Sequence, residues 1–159
     1  MINNDKIEMY MNQDIDNPIF LFHGSPLLLQ KLIPKQSSDS SNDSTNIDNA
    51  VFLFPSFLKS TPYAFKDSLK QYEIEGQKWN FEIPNDNSFP LMTIDGIDPP
   101  DDLIGYIYVI KKDDEMVKDE KSYQYKCHKE IIPYDIIEVH YKDFKDYFEN
   151  RNNKKKSKN

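Results

Sequence analysis

The chain has 159 residues, a formal net charge of −7 and 38% hydrophobic residues, and its aromatic side chains comprise ten Phe, ten Tyr and one Trp. This length fits one compact domain and is too short for two. The negative charge argues against binding nucleic acid or membranes through a general positive field. A single cysteine excludes an internal disulfide and a cysteine-built metal site. With no signal-peptide pattern and no long apolar run, we expect a soluble cytoplasmic protein.

Both ends of the chain have polar sequences that we expect to lie outside the domain. Residues 1–17 predict a loose polar leader. Residues 151–159 contain the run NKKKSK, which predicts a basic disordered tail and has a nuclear address as its other interpretation. A single domain is therefore expected at residues 18–150.

Six segments with alternating or continuous apolar residues predict strands. In chain order they are residues 19–23, 50–56, 79–83, 103–110, 122–128 and 136–141. Residues 27–33 fit either a short strand or a single helical turn. Residues 35–49 (KQSSDSSNDSTNIDN) have the low complexity of a loop, which is either a lid or a disordered insertion.

One helix is predicted directly after the second strand. Residues 57–69 carry apolar side chains at i, i+3 and i+4 spacing, and Ser56 fits an N-cap. Pro62 is expected to restrict the helix to starting near it. A second, shorter helix is predicted at residues 143–148. Because strands outnumber helices and cluster late in the chain, the predicted fold class is α+β.

Several chemistries are excluded by motif spacing before the histidines are considered individually. His23, His128 and His140 lie in different segments without HxH or HExxH spacing, so we expect no metal site. Four glycines do not supply a phosphate-binding loop. The segment HGSPL lacks the GxSxG pattern of a nucleophile elbow. What remains is His23, followed directly by Gly24 at the end of a predicted strand.

The segments FHGSP and VFLFPSFLKSTPYAF together resemble the ADP-ribosyltransferase superfamily, in particular its poly(ADP-ribose)-polymerase-like branch. The resemblance implies a split antiparallel β-sheet core with few helices. It also implies NAD as the substrate, and transfer of ADP-ribose to a protein or nucleic-acid acceptor with release of nicotinamide. No membrane or metal partner is implied.

In that family a His-Gly pair ends the first core strand and holds NAD. The resemblance implies that His23 binds the adenine-side ribose and that the Gly24 backbone binds the nicotinamide carboxamide, with Ser25 in the same motif. Because this histidine also orients the substrate for reaction, His23 is counted among the catalytic candidates. A glycine suits such a place because it lets the backbone approach an amide closely.

The second and third motifs supply the other candidates. Phe52 stands where the family has a strand tyrosine, Ser60 matches its small hydroxyl residue, and Tyr63 matches the tyrosine that stacks on nicotinamide. Glu130 matches the catalytic glutamate. A carboxylate there would stabilise the positive charge that develops on the ribose as the nicotinamide bond breaks.

Each candidate also has a purely structural interpretation. His23 would cap its strand by bonding a nearby carbonyl, and Gly24 would be a turn glycine with positive φ. The aromatic residues would belong to the core, Ser60 would be a solvated helix hydroxyl, and Glu130 would sit on a charged strand edge. Two other functions therefore stay open: a catalytically inactive module of the same fold that binds NAD, ADP-ribose or another partner, and a purely structural interaction protein.

Overall fold

A computed structural model describes residues 5–36, 49–71, 78–84, 88–96, 98–119 and 124–149. The described residues form α1 (Asp5–Met11), β1 (Phe20–Ser25), β2 (Lys35–Gln36), β3 (Asn49–Leu53), α2 (Phe57–Lys70), β4 (Lys78–Glu82), β5 (Leu91–Asp95), β6 (Ile104–Lys111), β7 (Val117–Lys118), β8 (Tyr125–Cys127), β9 (Asp135–His140) and α3 (Tyr141–Glu149). The predicted α+β class is confirmed. Most of the predicted loop at 35–49 and the whole predicted tail at 151–159 lie outside the described residues.

The centre of the fold is an antiparallel sheet with the strand order β1–β6–β9. β6 lies in the middle because its run IGYIYVIK is apolar enough to be covered on both faces, and residues 107–110 are buried. β1 pairs with it from Phe20↔Lys111 to Ser25↔Tyr106. This register sets His23 directly opposite Tyr108.

A second sheet has the order β2–β3–β8–β7, and among the described residues one bridge joins it to the first sheet. It is an isolated antiparallel bridge in which Phe22 and Phe54 exchange backbone hydrogen bonds of 2.7 and 2.8 Å. We call the bridge and its neighbours His23, Gly24 and Phe52 the β1–β3 junction. The described residues show no other pairing between β1 and β3.

Helix α2 lies against β1 and β6 and brings a glycine of each strand close to its backbone. A Cβ atom at Gly24 would overlap the carbonyl oxygen of Ser60, and one at Gly105 would overlap Ala64. Two glycines that the sequence places far apart thus serve one helix–sheet contact.

The expected restriction of α2 by Pro62 is wrong. Ser56 is the N-cap, as predicted, and its hydroxyl accepts from the Lys59 N–H at 3.2 Å. Pro62 lies inside the helix, where its missing N–H deprives the Leu58 carbonyl of a donor. The Thr61 hydroxyl donates to that carbonyl at 2.6 Å instead. A side chain therefore replaces the lost backbone bond and the helix continues.

The expectation of a loose leader is wrong for the described part of that segment. Ile7 and Tyr10 of α1 are buried in the core, and the Tyr10 hydroxyl donates to Asp135 at 3.2 Å. Gln13 then joins two further elements, because its amide nitrogen donates to the carbonyls of Phe20 and Pro55, each at 2.7 Å. Residues 5–13 thus belong to the same fold as the sheets.

The other departures from the predicted elements are small. A β4–β5 hairpin forms where only β4 was predicted, and it packs against α3. Leu32 makes a single bridge to Ile131, so residues 27–33 are mostly loop rather than a strand or a helical turn. None of the described helices is long and apolar enough to cross a membrane.

Candidate functional site

His23 lies at the β1–β3 junction, and its ring spans the point where the two strands stop pairing. Its Nδ1 is 2.9 Å from the carbonyl oxygen of Phe52. A carbonyl only accepts, so in the neutral ring this contact places the proton on Nδ1 and the acceptor lone pair on Nε2. This is the bond expected of a strand-capping histidine, and it also fixes the orientation of Nε2.

The backbone N–H and C=O of Gly24 face the edge of β1 that does not pair with β6. Along an antiparallel strand, alternate residues direct both their N–H and C=O to the same edge. Phe22 directs its pair to Phe54, the residue after β3, so Gly24, two residues further along β1, directs its own pair to the same edge. Among the described residues the bridge between Phe22 and Phe54 is isolated, and Gly24 forms no bridge to β3. A buried donor and acceptor thus lie side by side with no ladder partner on that edge.

The two serine candidates, Ser60 and Ser25, each make a hydrogen bond to a nearby backbone group. Ser60 is fully buried, and its hydroxyl donates to the Phe57 carbonyl at 2.6 Å, so it is not a solvated helix hydroxyl. Ser25 Oγ accepts from the Leu27 N–H at 3.1 Å and closes a local turn. Gly24 lies within β1 without a positive φ, so the turn-glycine interpretation is wrong.

Phe52 and Tyr63, the predicted nicotinamide clamp, occur in separate ring contacts. Tyr63 packs on Phe54 with ring centroids 5.4 Å apart, and Lys66 lies 4.6 Å from the centre of the same ring. The Phe52 ring has Lys126, its cross-strand partner on β8, at 5.7 Å. Both aromatic side chains are half-buried, and each makes a cation–π contact with a lysine.

Glu130 lies on the surface after the end of β8. Its carboxylate accepts from Lys31 Nζ at 3.0 Å, and the two side chains are 55% and 48% exposed. The pair sits beside the Leu32–Ile131 bridge, which holds the two segments together. The charged-edge interpretation of Glu130 describes this position well.

Tyr108 is a residue at this site to which the sequence assigned no role. It is fully buried, its ring lies 6.3 Å from that of His23, and its hydroxyl bonds to the loop that follows β1. Burial, the largest cause, raises the pKa of Tyr108 above its ordinary value, so the hydroxyl stays protonated. In sequence, Tyr106 and Tyr108 both alternate with Ile107 and Val109, as in a strand packed on one face, and only the β1–β6 register shows that Tyr108 is opposite His23.

A cavity of about 360 Å³ lies elsewhere, between the end of α1 and the start of α2. Met11, Ser56, Lys59, Phe89 and Tyr147 are among the described residues that line it. None of the candidate residues named above is among them. The cavity and the β1–β3 junction are therefore separate features of the fold.

No protein-family model, no curated protein and no solved structure matches this chain. The resemblance of the HGS segment thus rests on the sequence pattern alone. A proposal about function depends on the residues and contacts of the β1–β3 junction.

Proposed function

We propose that the chain is an NAD-dependent ADP-ribosyltransferase, which breaks the bond between nicotinamide and ribose and transfers ADP-ribose to a macromolecular acceptor. The two sheets would be the halves of the split sheet of that fold, parting at the β1–β3 junction. The observation that carries the proposal is that, among the described residues, Gly24 forms no bridge to β3 and lies beside an oriented His23.

The Gly24 backbone suits a primary carboxamide such as that of nicotinamide. Its N–H donates to the amide oxygen, and its C=O accepts from the amide nitrogen, which satisfies both buried groups at once. His23 Nε2, held by the Nδ1 bond to Phe52, accepts from a ribose hydroxyl. Both contacts hold the substrate in one orientation for bond cleavage.

In this proposal Glu130 is the carboxylate that stabilises the positively charged ribose as nicotinamide leaves. Its exposed pair with Lys31 contributes little stability, about 0–1 kcal/mol. Exchanging Lys31 for a substrate hydroxyl therefore costs the fold little. The leaving nicotinamide takes the bonding electrons of the broken C–N bond and becomes neutral. A nucleophilic group of the acceptor then forms the new bond to the same ribose carbon and releases its proton to water.

The second candidate function is an inactive module that binds NAD or ADP-ribose. The Glu130–Lys31 pair favours it, because a carboxylate neutralised on the surface is not poised toward a ribose. Phe52 also favours it, since the family hydroxyl is missing there. This candidate keeps the roles of His23 and Gly24 and removes only the chemical step.

Nicotinamide release separates the two candidates. Purified protein is incubated with NAD, and free nicotinamide is measured by chromatography for the wild type and for Glu130→Gln. Glu115→Gln is the matched control, because Glu115 is also an exposed carboxylate paired with a lysine, Lys129. The transferase predicts release that is lost in Glu130→Gln alone, while NAD binding is retained. Binding without release in the wild type would establish the module, and the absence of binding would refute both.

A further inference from the structure

We propose that Tyr108 is the positioning residue of this site, and that its hydroxyl holds the loop after Ser25 in place as a preformed wall beside His23. The inference rests on the proposed function, because that function makes the β1–β3 junction a nucleotide site. It adds a residue on β6, a strand outside all three of the motifs that the resemblance uses.

The Tyr108 hydroxyl makes two hydrogen bonds to one short loop. It donates to the carbonyl of Leu27 and accepts from the N–H of Leu29, each at 2.5 Å. The bonded groups lie two residues apart, so one oxygen fixes both position and direction of the backbone between them. The hydroxyl is thereby used as donor and acceptor at once.

The same side chain is the neighbour of His23. Tyr108 is opposite His23 in the β1–β6 register, and their rings lie 6.3 Å apart at 59°. Because Tyr108 is fully buried within a central strand, it moves little relative to the sheet. Through its hydroxyl it therefore holds the loop at a fixed place relative to the sheet and to the His23 ring.

The loop needs such an anchor because it buries little of its own apolar surface. Leu27 and Leu28 are 61% and 65% exposed. Segments with few buried apolar contacts open at low free-energy cost unless hydrogen bonds hold them. A loop that is ordered before the ligand arrives removes part of the entropy loss of binding, and so raises affinity.

The test uses Tyr108→Phe, which removes the hydroxyl and keeps the ring. Tyr106→Phe is the matched control, since it removes the same group from a half-buried tyrosine on the same strand. Hydrogen exchange of the Leu29 amide is measured by NMR, and NAD affinity by calorimetry. Tyr108→Phe removes both hydrogen bonds, and it is expected to speed Leu29 exchange and to weaken NAD binding, each at least about tenfold, the factor that matches the loss of one hydrogen bond. The control is expected to change neither.

Wild-type protein supplies a second measurement that needs no variant. Saturating NAD is expected to slow Leu29 exchange further, while the exposed Asp16 amide, which bonds to Asp14, serves as an unaffected reference. If Leu29 exchanges at the same rate in the wild type and in Tyr108→Phe, the proposal that the Tyr108 hydroxyl holds the loop is refuted. Faster exchange with unchanged NAD affinity would overturn its role in binding. If the wild type does not bind NAD, the proposed function fails and the positioning role fails with it. Leu29 exchange would still show whether the Tyr108 hydroxyl holds the loop.

Discussion

Helix α2 continues through Pro62 because a threonine hydroxyl replaces the missing backbone donor, and Thr61→Val tests this directly. Thr61 is fully buried and donates to the Leu58 carbonyl at 2.6 Å. Valine keeps the branched shape and removes only the hydrogen bond. Leu58 is 4% exposed, so water does not readily replace the lost donor.

Leaving one buried carbonyl unsatisfied costs about 1–3 kcal/mol. For a chain of this size the thermal midpoint falls about 2–4 °C for each kcal/mol, so a decrease of roughly 2–12 °C is expected. Ser60→Ala is the matched control, because Ser60 also donates to a carbonyl, that of Phe57, at 2.6 Å. The Phe57 carbonyl keeps its ordinary helical donor, the Thr61 N–H, and alanine favours the helix. Its expected effect is therefore below about 1 kcal/mol.

Urea unfolding is followed by the fluorescence of Trp79, the one tryptophan of the chain, which is 5% exposed. Thr61→Val is also made in a Pro62→Ala background, where alanine restores the N–H that the Leu58 carbonyl lacks. There it should cost less by about 1–2 kcal/mol, and that difference is the coupling between the two residues. Equal costs in both backgrounds, or a Ser60→Ala variant as unstable as Thr61→Val, would refute the compensation.

Three further predictions concern stability. Gly24→Ala should destabilise the fold by about 1–3 kcal/mol, because its Cβ would overlap the backbone of α2; an unchanged urea midpoint would mean that the helix shifts freely. Lys31→Met should change stability by less than about 1 kcal/mol, since its pair with Glu130 is exposed; a larger loss in the same titration would make the pair structural. Burial, followed by the Asp135 carboxylate, raises the pKa of Tyr10 from 10.0 to about 12. The stability that Tyr10 adds is thus complete below pH 10 and is lost as the pH rises toward 12. Tyr10→Phe should flatten that alkaline decrease, and an unchanged pH profile of unfolding would contradict this.

Local sequence patterns predicted the elements whose apolar residues are numerous and regular. β6 and α2 are such elements, and their observed bounds differ from the predicted ones by about one residue, the usual uncertainty at the ends of an element. α1 was missed because a seven-residue helix shows only two buried positions, Ile7 and Tyr10, too few to establish a period. The Pro62 prediction was wrong because the rescue by Thr61 depends on a side-chain bond that no propensity describes.

The candidate site depends still more on tertiary pairing. The sequence placed His23 at a strand end, as the structure does, but not its bond to the carbonyl of Phe52, a residue far along the chain. Tyr106 and Tyr108 look equivalent in sequence, and only the strand register shows that Tyr108 is the one opposite His23. The partner of Glu130, Lys31, was equally hidden, because it is set by the single bridge between two loops.

Binding of NAD at the β1–β3 junction is measured by calorimetric titration of the wild type and two histidine variants. His23→Ala removes the imidazole that bridges to Phe52, and His140→Ala is the control, since His140 pairs with Glu138 on the partly exposed edge of β9. We expect the wild type and His140→Ala to bind NAD alike, and His23→Ala to bind at least about tenfold more weakly, a change of about 1.4 kcal/mol. A wild type that does not bind NAD, or three proteins that bind it equally, would show that NAD does not bind at this junction.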